Sequence, residues 1–181
     1  MTRFPEFPNL TLVTGGLSSG KSLWAENFVN KANKQKVYVA TAQPLDEELK
    51  QKIKLHQSRR GQDWQLLEEP FTNGEFFCQF GEEDLILLEC LSTWLGNLLY
   101  RNFQLEEHLE KFLENLANSK ANIVVVTVET GLGVIPKDAT SRTFVKELGN
   151  LNQSIAKLSD LVVLVTAGIP LAIKGDLPQW P

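Results

Sequence analysis

The stretch Val13–Ser22 reads VTGGLSSGKS. From Gly15 to Ser22 it satisfies G-x-x-x-x-G-K-[ST] at every fixed position. An ordinary glycine turn before a helix can also satisfy that pattern, so the flanks decide. Before it, Leu10–Thr14 (LTLVT) reads as a short buried strand, and after it Lys21–Ala32 reads as a helix. In a strand–loop–helix context, successive backbone N–H groups turn inward onto phosphate oxygens, and the helix N-terminus adds partial positive charge. Gly15, Gly16, Leu17, Ser18, Ser19 and Gly20 then form the cradle. Lys21 reaches the β and γ phosphates, and the Ser22 hydroxyl meets Mg²⁺.

The rest of the chain repeats the alternation. Lys36–Ala42, Asp84–Glu89, Asn122–Val128 and Leu161–Thr166 are short, almost continuously apolar runs. Such runs mark strands covered on both faces, as in parallel sheets. Helical patterns fall between them at Leu45–His56, Leu91–Tyr100, Leu105–Asn118 and Thr140–Leu158. The expectation is one α/β domain over residues 1–181 with a mainly parallel sheet and its ligands at the carboxyl ends of the strands. The late stretch AGIPLAIK fits an edge strand, because its proline excludes a central one.

Composition narrows the class. The chain has 181 residues, 43% of them hydrophobic, and a net charge of −4. An acidic chain without a basic stripe is not built for nucleic acid. The start, MTRFPEFPNL, lacks a signal-like apolar run, and no segment has the length for membrane insertion. Cys78 and Cys90 make neither a disulfide framework nor a metal-ligand spacing. A soluble protein of a reducing cytoplasm is expected.

Three further residues carry chemistry. Glu89 ends the apolar run DLILLE and is placed to bind Mg²⁺ or orient a substrate group. His56 shares a helical face with Leu45, Leu49 and Ile53, so it points at the protein body, close to Arg59 and Arg60. Arginines favour phosphate, and nearby positive charge keeps an imidazole neutral and nucleophilic. A neutral imidazole can attack phosphorus to give a phosphoramidate. From spacing alone, a core histidine beside solvated arginines fits equally well. His108 lies in a charged amphipathic helix and reads as a boundary residue.

Five stretches in order resemble one family: LVTGGLSSGKS-LWAE, YVATAQPLDEELKQKIKLHQSRRGQDWQLLEEP, LLECLSTWLGNLL, VTVETGLGVIP and RTFVKELGNLNQSIAKLSDLVVLVTAGIPLAIK. The family is the bifunctional adenosylcobinamide kinase/adenosylcobinamide-phosphate guanylyltransferase family of cobalamin biosynthesis. The resemblance implies a RecA-like, three-layer P-loop NTPase fold, commonly a homotrimer. It implies phosphorylation of adenosylcobinamide by ATP or GTP. It also implies transfer of GMP from GTP to adenosylcobinamide phosphate through a GMP–histidine intermediate, with release of pyrophosphate. His56 matches that histidine, and Lys21 serves both reactions. Thr41, Ala42, Gln43, Gln57, Ser58, Arg59, Arg60, Glu68 and Glu89 match nucleotide-contacting positions, while Ser22 and Glu89 are the expected Mg²⁺ ligands. Glu89 and Glu129 are candidates for the base of the kinase step.

Two departures stand out. Leu17-Ser18 replaces a frequent Ala-Arg, and Val128 replaces a frequent asparagine before the glutamate. Two other readings of the loop compete with the family's: a small-molecule kinase with one reaction, and a nucleotide-dependent switch. The chain has no Asn/Thr-Lys-x-Asp stretch of the kind with which switches read guanine.

Overall fold

The computed structural model describes residues 7–43, 63–101 and 103–178. Among them, seven strands form a single sheet: β1 (Leu10–Thr14), β2 (Gln35–Ala40), β3 (Trp64–Glu68), β4 (Asp84–Glu89), β5 (Asn122–Val126), β6 (Leu161–Thr166) and β7 (Ile169–Lys174). Their order is β3-β2-β4-β5-β1-β6-β7. Every pair is parallel except β6 with β7. The helices are α1 (Lys21–Asn30), α2 (Leu91–Tyr100), α3 (Leu105–Ala117) and α4 (Ala139–Leu158), with a 3₁₀ turn at Glu75–Gln79.

The apolar runs are continuous because both sheet faces are covered. On one face Leu12, Ile86, Leu88, Ile123 and Val125 pack under α2, α3 and α4 through Trp94, Leu98, Phe112, Leu148 and Ile155. On the other, Val13, Leu85, Leu87, Val124 and Val163 pack against Ala25, Phe28 and Val29 of α1. The sheet with helices on both sides gives three layers, as expected. Trp94 is fully buried, lies tilted against Phe112 with ring centroids 4.4 Å apart, and donates its indole N–H to the Thr72 carbonyl at 2.9 Å. A buried indole needs such a partner, since an unpaired N–H in the core costs about 1–3 kcal/mol.

Three of the expected ends move by two residues, each for a local reason. Helix α1 stops at Asn30 rather than Ala32, because the Lys31 and Ala32 amides bond back three residues, to Phe28 and Val29, and tighten the last turn. Strand β2 stops at Ala40, where Thr41 turns its hydroxyl onto the neighbouring strand end. Strand β5 stops at Val126, after which only the β1 side still offers partners: Thr127 N–H bonds Val13 at 2.9 Å and Glu129 N–H bonds Gly15 at 3.0 Å.

Strand β3 is an element that the sequence did not announce. It lies at the sheet edge with Leu66 and Glu68 exposed, so it lacks the continuous apolar signature. The other edge behaves as expected: β7 is the antiparallel edge strand, and Pro170 sits in it opposite Val165. The helix expected over Leu45–His56 lies outside the described residues.

Candidate active site

The parallel strands all end on one side of the sheet, and the loop Gly15–Ser22 crosses that side between β1 and α1. Two glycines are required there by geometry. A Cβ on Gly15 would stand 2.4 Å from the Val165 carbonyl oxygen and 2.6 Å from Ser19 Oγ. Gly20 has φ 91°, and its Cβ would stand 3.1 Å from Gly168 Cα. Ser18 adopts φ 58°, a left-handed conformation that costs a non-glycine residue roughly 1–2 kcal/mol. Leu17 beside it is 86% exposed.

The loop is braced from outside. The Gly168 amide in the β6–β7 turn donates to the Ser19 carbonyl at 2.8 Å, and the Glu129 amide donates to Gly15. Inside it, Lys21 is buried and its ammonium donates to the Gly16 carbonyl at 3.3 Å. The Ser19 hydroxyl is buried and has no hydrogen-bond partner among the described residues. Buried hydroxyls are normally satisfied, so an unpaired one in the phosphate loop suits a ligand oxygen.

Ser22, in the first turn of α1, donates its hydroxyl to Glu89 Oε1. Strand β5 separates β1 from β4, so the acid comes from two strand spacings away, about 10 Å. The cis peptide Glu89–Cys90 is held by Thr41. Thr41 Oγ1 donates to the Glu89 and Cys90 carbonyls at 3.0 and 2.8 Å and accepts from the Cys90 amide at 2.8 Å. Asn97 on α2 clamps the same corner, donating to the Thr41 carbonyl at 2.8 Å and to Pro70 at 3.1 Å. Ala42 and Gln43 continue from there, half-buried.

Glu68 stands in register with Ala40, and Ala40 with Glu89. Residues paired across parallel strands share a face, so both side chains leave the face covered by α1, from backbones about 10 Å apart. Glu129 follows β5, and its Oε1 accepts the Gly131 amide at 2.8 Å. The structure thus brings together the loop, Thr41, Glu89 and Glu129, with Glu68 farther out. His56, Gln57, Ser58, Arg59 and Arg60 lie outside the described residues. His108 is a boundary residue, as its amphipathic setting predicted. Its Nε2–H donates to the Thr72 carbonyl at 2.8 Å, and its ring lies 5.1 Å from Phe103.

Sequence reasoning missed the supports. Gly168 and Asn97 bond to the site but do not belong to the loop pattern, so nothing local flags them. The residues present do fit Mg²⁺. A hydroxyl and a carboxylate meet at the base of the loop, and both are hard oxygen ligands. No group of three or more His, Cys, Asp or Glu able to hold a metal occurs among the described residues. Mg²⁺ bound with substrate phosphates needs only one or two protein ligands.

A phosphate loop and an acid strand on a parallel sheet define a P-loop nucleoside triphosphate-dependent enzyme. The solved ATPase of a bacterial type III secretion system shares the fold, with a TM-score of 0.53 at 11% identity over 87% of this chain and 51% of that one. So does a Pyrococcus horikoshii OT3 protein, at 0.54 and 8% identity over 92% and 86%. Within that class, the chain belongs to the cobinamide kinase / cobinamide phosphate guanyltransferase family, which it matches over residues 11–173. It is 38% identical over 168 residues to the bifunctional adenosylcobalamin biosynthesis protein CobP of Pseudomonas aeruginosa, covering 91% of this chain and 97% of that one. It is 32% identical over 181 residues to the bifunctional adenosylcobalamin biosynthesis protein CobU of Salmonella typhimurium, covering 91% and 99%. No helix among the described residues is long and apolar enough to cross a membrane.

Proposed function

We propose that this chain phosphorylates adenosylcobinamide with ATP or GTP and then transfers GMP from GTP to the adenosylcobinamide phosphate. The observation that carries the reading is the Ser22–Glu89 hydrogen bond beside buried Lys21, in a chain that matches the family almost from end to end. It sets a hydroxyl, a carboxylate and an ammonium where a triphosphate lying in the loop would end. Ser22 and Glu89 would hold Mg²⁺, which when bound offsets negative charge on the phosphate oxygens.

In the kinase step the acceptor hydroxyl oxygen attacks the terminal phosphorus, and the bond to the β-phosphate oxygen breaks. The nucleoside diphosphate leaves with its charge met by Lys21 and the loop amides. Of the two candidate acids, Glu89 is given to Ser22 and Mg²⁺, which leaves Glu129 to take the hydroxyl proton. In the transfer step a neutral His56 nitrogen attacks the α-phosphorus, and pyrophosphate leaves. An oxygen of adenosylcobinamide phosphate then attacks the same phosphorus, the P–N bond breaks, and His56 is released. Arg59 and Arg60 offset charge on the phosphoryl oxygens. Thr41, Ala42 and Gln43 at one strand end, Gln57 and Ser58 beside the histidine, and Glu68 at the outer edge complete the nucleotide contacts.

A single-domain homotrimer belongs to the same proposal. Ile169, Leu171 and Ile173, exposed on alternate positions of edge strand β7, offer apolar surface for such contacts. Two free cysteines suit a cytoplasmic location.

The test supplies purified protein with adenosylcobinamide and ATP, then GTP, and follows corrinoid phosphate and pyrophosphate. Phosphorylated corrinoid followed by pyrophosphate release is expected. Phosphorylated corrinoid without pyrophosphate would reduce the enzyme to a kinase, and neither product would reject the reading.

A further inference from the structure

Five large apolar side chains among the described residues are more than three-quarters exposed: Leu17 at 86%, Tyr100 at 86%, Leu132 at 85%, Val134 at 97% and Ile135 at 78%. Two of the five, Leu17 and Leu132, lie near one hydrogen bond, from the Glu129 amide to the Gly15 carbonyl, and Val134 and Ile135 follow Leu132 in the chain. Leu17 lies two residues beyond Gly15, and Leu132 three beyond Glu129. At about 3.3–3.6 Å per extended residue, both stand within roughly 11 Å of that bond. The exposed run Leu132–Ile135 therefore starts beside the phosphate loop.

The segment is tied at both ends. Glu129 Oε1 accepts the Gly131 amide at 2.8 Å in front. Behind, the Arg142 guanidinium donates to the Pro136 carbonyl at 3.1 Å, and Asp138 caps α4 by accepting the Ser141 amide at 2.7 Å. Tied in this way, the segment still leaves its apolar side chains in solvent. Exposed apolar surface gathered beside a polar site marks a binding surface. From Thr130 to Pro136 the stretch TGLGVIP carries no charge. An added Cβ on Gly133 would meet nothing within 4 Å, so packing does not demand glycine there.

The triphosphate has no use for such a surface, because its partners are amides, Lys21 and Ser22. The acceptor does. Its hydroxyl must approach the terminal phosphoryl from outside the loop, so its bulk must rest beside the loop mouth. We propose that Leu132, Val134 and Ile135, with the exposed Leu17 of the loop, form the shelf on which the acceptor's macrocycle lies. A corrin ring edged with methyl groups and neutral amide arms matches an uncharged apolar shelf. The inference rests on the proposed function and adds to it the place of the acceptor.

The test replaces Leu132, Val134 and Ile135 together by asparagine and compares steady-state constants with wild type. Polar replacements at such exposed positions leave folding stability nearly unchanged. The KM for adenosylcobinamide should rise about 10–100-fold, the scale on which lost apolar contacts discriminate. The KM for GTP and formation of the GMP adduct from GTP alone should stay unchanged. A corrinoid KM equal to that of wild type overturns the inference while the functional reading stands. So does a change in sedimenting mass with equal losses toward corrinoid and GTP, which would make the shelf an interface between copies. A wild-type protein that neither binds nor phosphorylates adenosylcobinamide overturns both.

Discussion

The Ser22 hydroxyl donates to the Glu89 carboxylate although β5 stands between the strands that lead to them. The bond joins the first turn of α1 to the end of β4 and fixes where the terminal phosphates and their metal must sit. Glu89→Gln keeps the size of the side chain and removes its charge. Losses in metal affinity or activity of about 10–100-fold are usual when a group that orients or binds a metal is lost. Both reactions should fall by that factor, with half-saturation at higher Mg²⁺. Unchanged Mg²⁺ dependence would remove Glu89 from the metal site.

Glu129 should behave differently. It hangs at the loop mouth through its own amide and that of Gly131, and it does not contact Ser22. A general base contributes about 10²–10⁴-fold, so Glu129→Gln should lower kinase turnover on that scale. Guanylylation of ready-made adenosylcobinamide phosphate should persist. Equal loss of both reactions would assign Glu129 to the shape of the loop rather than to proton transfer.

Gly15→Ala tests the brace. Its methyl would collide with the Val165 carbonyl and Ser19. The loop would be pushed away from β6, and nucleotide binding should fall at least tenfold by titration calorimetry, about 1.4 kcal/mol. Wild-type affinity in this variant would show that the loop is held less tightly than the contacts imply.

Asp138 gives a pH signature. Its carboxylate accepts the Ser141 amide and, secondarily, the Ser141 hydroxyl, which holds its pKa below the usual carboxylate value. A lowered folded pKa means that the unfolded chain binds the proton more readily. The contribution is therefore complete above the unfolded value of 3.8 and fades as pH falls through the folded one. Asparagine also caps helices well, so Asp138→Asn should keep the cap and lose its pH dependence. The Tm difference between the two proteins should be widest at neutral pH and close in acid. A constant difference would mean that the charge plays no part.

How much of this was legible in the sequence follows from where each residue's partners lie. The loop, β1, β4, β5 and β6 were legible because a glycine pattern and buried apolar runs are local properties. Strand β3 was not, because an edge strand half in solvent reads like a loop. The acid Glu89 could be named from its strand end, but its bond to Ser22 depends on the strand order. The same holds for Gly168 on Ser19 and Asn97 on Thr41, contacts between residues 149 and 56 positions apart.

The central claim is that one loop serves two cleavages, the second through His56. The most direct measurement incubates the protein with GTP labelled at the α-phosphate and examines it after denaturation. A protein-bound label that is acid-labile and alkali-stable should appear in wild type and be absent from His56→Ala, which should retain kinase activity. Label that persists in His56→Ala would contradict the account.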